Sequence, residues 1–182
     1  MKRVMRIATV LALVAIGSMP VFAAQNEIIG AGATFPYPLY SKMFDAYNQE
    51  YGIKVNYQGI GSSGGIKELT NKTVDFAGTD AFMTEEETTK ASGAVVHVPT
   101  CIGSVVLTYN LKGVAELSLS QSVLADIFLG KITKWNDPKI AKLNPKAKLP
   151  NIPIAVIHRS DGSGTTSIFT DFLAIVSPEW KS

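Results

Sequence analysis

Three glycine- and hydroxyl-rich turns, each placed to open a helix, constrain this chain more than anything else in it. They are Gly30-Ala31-Gly32-Ala33-Thr34-Phe35, Gly61-Ser62-Ser63-Gly64-Gly65 and Asp161-Gly162-Ser163-Gly164-Thr165. A helix start leaves backbone N–H groups unpaired and carries partial positive charge, so it attracts anions. Glycine lets the main chain approach a ligand, and Ser or Thr adds neutral donors. Three such turns in one chain point to a site that wraps a small oxyanion in hydrogen bonds.

Helix and strand signals alternate between these turns, which predicts an α/β class. Leu39, Met43 and Tyr47, with Phe44 and Tyr51 beside them, repeat at helical spacing, and Gly52 is a fitting stop. Ile53, Val55 and Tyr57 alternate as a strand into the second turn, and Ile66 and Leu69 mark a short helix after it. Val74 to Gly78 is a short apolar run. Thr84 with Glu87 forms a capping box. Val95 to Pro99, Ser104 to Asn110 and Ile154 to Ile157 read as strands, the last running into His158-Arg159 and the third turn. Ser120 caps a helix carrying Val123, Leu124, Ile127 and Phe128, and Asp137-Pro138 opens another. Ile168, Phe169, Phe172, Leu173 and Val176 form the core face of the helix after the third turn.

The first residues read as an export address. Lys2, Arg3 and Arg6 precede the apolar run Ile7–Ile16, and Val21-Phe22-Ala23 supplies small residues for cleavage after Ala23, with Ala24 the close alternative. The run is too short to span a bilayer, which disfavours a membrane anchor. Removing this leader, with three cations and no acid, takes the net charge from +2 to −1. That balance argues against a nucleic-acid or anionic-membrane surface. The lone Cys101 forms no intrachain disulfide, and its apolar neighbours predict a small buried residue. His97 and His158 lie far apart without a metal-ligand cluster, so no metal is expected. At the other end, Ser177-Pro178-Glu179-Trp180 opens a helix that runs one turn before Ser182, as expected of the front part of a longer protein.

Arg159 stands two residues before the third turn, where a planar guanidinium grips two oxyanion oxygens or pairs with Asp161; the two roles are compatible. Asp80 follows the run that ends at Thr79. A carboxylate there accepts the proton that hydrogen phosphate keeps at neutral pH and repels a fully deprotonated anion such as sulfate. A simple turn or cap is the alternative role for Asp80. Two enzyme readings compete. The third turn lacks the Gly-Lys-Ser/Thr ending of a nucleotide P-loop. Gly61-Ser62-Ser63-Gly64-Gly65 matches a serine-hydrolase elbow, with Ser63 as nucleophile and His97 or His158 as base. The pattern is short and suits an anion turn equally.

The segments Gly-Ala-Gly-Ala-Thr-Phe-Pro (30–36), Asn-Tyr-Gln-Gly-Ile-Gly-Ser-Ser-Gly-Gly (56–65), Val-Asp-Phe-Ala-Gly-Thr-Asp (74–80), Leu-Gly-Lys-Ile-Thr-Lys-Trp-Asn-Asp (129–137) and Arg-Ser-Asp-Gly-Ser-Gly-Thr (159–165) carry a resemblance. Together they resemble the periplasmic phosphate-binding proteins of ABC-type phosphate importers. The resemblance implies a bilobed periplasmic-binding-protein (type 2) α/β fold, C-terminally truncated, with a signal peptide over 1–23, a first lobe over 24–98 and an incomplete second lobe over 99–182. It implies a phosphate shell of Thr34 (hydroxyl and N–H), the Phe35 N–H, Ser62, Asp80 as acceptor of the phosphate proton, Arg159 held by Asp161, and donors from Ser163, Gly164 and Thr165. It further implies a monomeric, non-enzymatic periplasmic receptor. Its partners are inorganic phosphate and the importer's membrane permease, with no cofactor. Oxyanions such as sulfate remain an alternative ligand. By the same resemblance, a first lobe without its returning segment leaves Leu39, Met43 and Tyr47 facing water.

Overall fold

The first glycine turn grows out of the middle strand of a parallel sheet. The computed structural model describes residues 27–91 and 93–182, so the expected leader over 1–23 and its cleavage after Ala23 lie outside the described residues. Strand β1 (Glu27–Gly32) lies between β2 (Lys54–Gly59) and β3 (Phe76–Gly78), both parallel to it. Parallel neighbours need crossovers, here the helices α1 (Tyr37–Tyr51) and α2 (Ser62–Thr70). Registers of Gly30 opposite Tyr57 and of Gly30 opposite Phe76 align the three strands.

Strand β1 is the central element that the sequence signals did not mark. Only Ile28 and Ile29 carry strand propensity, and Gly30-Ala31-Gly32 follows. The small residues answer to packing. Gly32 has φ 139°, and a Cβ there would meet the Gly78 carbonyl oxygen. A side chain would therefore separate β1 from β3.

Helix α1 ends as expected at Gly52, whose φ of 68° makes a left-handed cap. It packs on the sheet through Tyr40 and Phe44. Tyr40 sits edge-on to Tyr57 at 5.1 Å, and Phe44 edge-on to Phe76 at 6.0 Å. Leu39, Met43 and Tyr47 on its other side are exposed.

Helix α3 (Glu85–Lys90) starts in the expected capping box: Thr84 Oγ1 accepts from the Glu87 N–H at 3.2 Å, and Glu87 accepts from the Thr84 N–H at 2.8 Å. Further on, α4 (Gln121–Phe128) is capped by Ser120 and α5 (Pro138–Leu143) by Asp137. Their apolar faces gather Val123, Ile127, Ile132 and the fully buried Ile140, with Leu117, Leu119, Phe128, Leu149 and Ile154 packed around them. Helix α6 (Gly164–Val176) joins through Phe169, edge-on to Phe128 at 4.8 Å. Of its predicted core face, Leu173 is fully buried and Ile168 is exposed. Helix α7 (Pro178–Lys181) begins at the Ser177 cap as expected.

Three expected strands are not strands. Val95–Pro99 and Ser104–Asn110 join no ladder, and every residue from 98 to 110 is exposed. Their β-branched residues satisfy the propensity, but a strand also requires a neighbour to pair its N–H and C=O groups. Among the described residues none lies alongside. A cavity of about 760 Å³ has both residues 74–83, which include β3, and residues 93–105 in its lining. Ile154–Ile157 is corrected likewise. Only its approach pairs, through the Lys134–Pro153 bridge and the bond from the Ile154 N–H to the Thr133 carbonyl at 2.8 Å. Cys101, expected to be buried, is exposed, because the stretch that carries it joins no sheet among the described residues.

Candidate anion site

The three turns converge. The second and third meet directly: the Ser63 N–H donates to the Gly162 carbonyl at 3.2 Å. A Cβ on Gly61 would lie 2.8 Å from that same carbonyl oxygen. A Cβ on Gly164 would lie 2.8 Å from Asp80 Cβ and would strike the Ser62 hydroxyl. Glycine at 164 is thus what lets the start of α6 close on Asp80 and the start of α2. The first turn joins through Arg159, whose Nη1 donates to Thr34 Oγ1 at 3.2 Å.

Of the predicted ligand residues, Thr34 contacts Arg159, and Ser62, Asp80, Gly164 and Thr165 form one contact group, with Phe35 and Ser163 their chain neighbours; the hydrogen bonds sort the hydroxyls by role. Thr34 Oγ1 accepts from Arg159. Ser62 Oγ accepts from the Asp80 N–H at 3.3 Å. Ser163 Oγ accepts from the Thr166 N–H at 3.3 Å as the cap of α6. A hydroxyl that accepts from the protein keeps its own proton to donate elsewhere. Thr165 does the reverse: its Oγ1 donates to Asp80 Oδ2 at 2.9 Å. One Asp80 oxygen is thereby engaged, and among the described residues no hydrogen bond reaches Oδ1, which is left to accept.

Backbone donors follow from where the helices start. In α6, Thr166 N–H goes to the Ser163 hydroxyl and Ser167 N–H to the Ser163 carbonyl at 3.0 Å. The N–H groups of Gly164 and Thr165 precede any intrahelical acceptor. In the first turn, Ala33 N–H is held by the Gly78 carbonyl at 2.8 Å, and Thr34 and Phe35 follow at the entry to α1.

Arg159 and Asp161 form a two-pronged pair. Nε donates to Oδ1 at 2.6 Å, and Nη2 pairs with Oδ2. The hydrogen bond to Arg159 holds the Asp161 carboxyl below the usual carboxylate range, and the same bond raises the guanidinium above its own. Both expected roles of Arg159 are thus geometrically compatible: Nε and Nη2 face Asp161 while Nη1 faces the first turn. Asp80 does not cap a helix; it lies between Ser62 and Thr165.

The hydrolase elbow is not assembled. His97 Nε2 accepts from the Met83 N–H at 3.1 Å, and His158 Nδ1 pairs with the Arg159 carbonyl at 2.9 Å. Among the described residues no histidine hydrogen-bonds Ser63, whose N–H faces Gly162.

One buried group at the site went unmarked in the sequence. Tyr57 donates its hydroxyl to the Ala33 carbonyl at 2.8 Å. Burial, then Tyr40, then Asp80 push its phenol above the usual tyrosine range. Its sequence signal was only an inward position on the strand before the second turn.

A family model described as a PBP superfamily domain matches residues 21–181. The chain is 50% identical over 169 residues to the phosphate-binding protein PstS of Haemophilus influenzae, covering 92% of this chain and 50% of that protein. It is 41% identical over 157 residues to the PstS of Methanocaldococcus jannaschii, covering 82% of this chain and 40% of that one. It thus spans about half the length of these curated relatives. Among solved structures, a phosphate ABC transporter substrate-binding protein of Clostridium perfringens, crystallised with phosphate, shares the fold with a TM-score of 0.59 at 21% identity, over 81% of this chain and 56% of that one. An ABC-type phosphate transport receptor of Vibrio cholerae gives 0.52 at 23%, over 81% and 55%.

Proposed function

Because this chain belongs to the PBP superfamily, we propose that it carries the anion-gripping part of an exported receptor. That receptor binds inorganic phosphate noncovalently and passes it to the membrane permease of an ABC importer. The observation that carries this reading is the sorting of polar groups around Asp80. Thr34, Ser62 and Ser163 keep protons to donate, Arg159 supplies positive charge, and Thr165 leaves one Asp80 oxygen free to accept. A shell of donors with a single carboxylate acceptor suits an anion that is charged and still carries a proton, as phosphate does near neutral pH. The curated relatives named for phosphate binding support the same ligand.

Each group takes one role. Thr34 gives its hydroxyl and N–H, and Phe35 its N–H. Ser62 and Ser163 give hydroxyls, and Gly164 and Thr165 give N–H groups at the start of α6. Asp80 takes the phosphate proton, and Asp161 aims Arg159. Residues 24–98 form a first lobe and 99–182 belong to a second, closing on the anion between them. The receptor acts as a monomer in the periplasm after cleavage near Ala23. No covalent step is needed, and among the described residues no histidine hydrogen-bonds Ser63 to serve as a base for one.

Titration of the purified chain with phosphate and with sulfate tests this reading. Phosphate is expected to bind and sulfate to be rejected. Asp80→Asn should relax that discrimination more than it weakens phosphate, because an amide can donate where a carboxylate only accepts. Unchanged selectivity in the variant would remove the proton-sensing role. Equal binding of both anions by the unaltered chain would point to a general oxyanion receptor.

A further inference from the structure

Resting on the phosphate reading, we infer that Tyr57 is the positioning residue of the first anion turn, setting the direction of the Thr34 N–H group without touching the ligand. The peptide that precedes Thr34 is held from both sides. Ala33 N–H donates to the Gly78 carbonyl at 2.8 Å, and the Ala33 carbonyl accepts the Tyr57 hydroxyl at 2.8 Å. Ala33 is 1% exposed and Tyr57 8% exposed, so water does not readily replace either partner. Because an amide is planar, fixing the Ala33 carbonyl also fixes the direction of the Thr34 N–H on the same peptide unit.

The tyrosine is itself tightly placed. Its ring stacks on Phe76 at 5.8 Å and meets Tyr40 edge-on at 5.1 Å. The hydroxyl occupies the space that a side chain at position 78 would need, so Gly78 opens the slot through which it reaches Ala33. Tyr57 lies on β2, one turn away from Ser62, and Ala33 follows β1. The bond therefore ties the first anion turn to the strand that delivers the second. Phenylalanine would fill the same space in the ring stack and leave the Ala33 carbonyl unpaired. The raised pKa of the phenol is consistent with a hydroxyl that stays protonated as a donor.

Tyr40 is the control. It belongs to the same aromatic cluster, but its hydroxyl pairs with Thr100 Oγ1 at 2.8 Å rather than with an anion turn. The experiment compares the purified chain with its Tyr57→Phe and Tyr40→Phe variants, by calorimetric titration with inorganic phosphate and by amide exchange at Ala33 under native conditions. Tyr57→Phe should weaken phosphate at least about fivefold, and Tyr40→Phe should stay within about twofold, as expected when one neutral hydrogen bond is lost. Ala33 exchange should accelerate in Tyr57→Phe beyond any change shared by the other core amides. Equal affinities in the two variants would overturn the inference. So would a Tyr57→Phe variant that fails to fold while Tyr40→Phe folds, since the hydroxyl would then serve the whole fold. If the unaltered chain binds no phosphate, the phosphate reading is lost and the exchange at Ala33 decides. Acceleration confined to Tyr57→Phe supports the positioning role, and no selective acceleration ends it.

Discussion

Two regions of this molecule carry similar strand-favouring residues and have opposite fates. Lys54–Gly59 pairs along β1 and buries Tyr57, whereas Ser104–Asn110, rich in β-branched and apolar residues, pairs with nothing among the described residues and stays exposed. The first has a neighbour, β1, that pairs with it residue for residue from Glu27–Lys54 to Gly32–Gly59. The second contributes only Ser104 and Val105 to the lining of a cavity that β3 also lines. Strand formation is a property of a pair of segments, so propensity in one segment is insufficient. The helices behave differently because their hydrogen bonds and caps lie within a few residues of sequence. Those starting after Thr84, Ser120, Asp137 and Ser177 all begin at their expected caps.

The largest expected effect strikes the paired region. Gly32→Ala places a side chain against the Gly78 carbonyl at a φ of 139°. Overpacking and backbone strain together should cost about 5 kcal/mol, comparable to the stability of a small domain. Circular dichroism should show the cooperative transition lost or shifted far down; a melt like that of the unaltered chain would mean the sheet region tolerates separation of β1 from β3.

Next comes the helical core. Ile140→Ala removes a side chain with no exposure at all and should cost about 2–5 kcal/mol in denaturant unfolding. A loss below about 1 kcal/mol would show that the core around α4 and α5 collapses around the deletion.

At the site, Arg159→Lys replaces a two-pronged planar donor with a point charge. Phosphate affinity should drop about tenfold or more, the worth of a charge-assisted hydrogen bond. Wild-type affinity would mean that Arg159 serves Asp161 alone. The pair also has a pH signature. Asp161 is depressed in the folded state, so its stabilising contribution is present above the ordinary carboxylate pKa and is lost as pH falls through the lowered one. Both groups are exposed, so the change should be small and should shrink further in salt.

The smallest effect belongs to the unpaired region. Val106→Thr, at an exposed position, should change stability by no more than about 0.5 kcal/mol. The same change should lower the binding of a dye that reports exposed apolar surface, because Val105, Val106 and Leu107 are exposed side by side. A large loss of stability would show that Ser104–Asn110 pairs in solution, which would erase the contrast between the two regions.

The site was more legible than the sheet, and for a physical reason. Gly61-Ser62-Ser63-Gly64-Gly65 and Asp161-Gly162-Ser163-Gly164-Thr165 declare themselves locally, since a helix start with small and hydroxyl residues already defines where donors stand. Arg159 and Asp161 are two residues apart and find each other within their own turn. Long-range contacts left no such mark. The bond from Thr165 to Asp80 spans 85 residues, and that from Tyr57 to Ala33 spans 24. Neither leaves a local pattern, and Cys101 was expected inside, though it is exposed, because its apolar neighbours looked like core.

By itself, the sequence determined the helices, their caps and stops, the α/β alternation and the three glycine- and hydroxyl-rich turns, all of which rest on interactions between near neighbours. Only the tertiary structure decided that Glu27–Gly32 is the central strand, that Val95–Pro99 and Ser104–Asn110 are not strands, and that Asp80 stands between Ser62 and Thr165. Those outcomes depend on which distant backbone groups come into hydrogen-bonding reach, and that is settled by close packing across the sheet, where Gly32 and Gly78 must touch before β1 and β3 can pair.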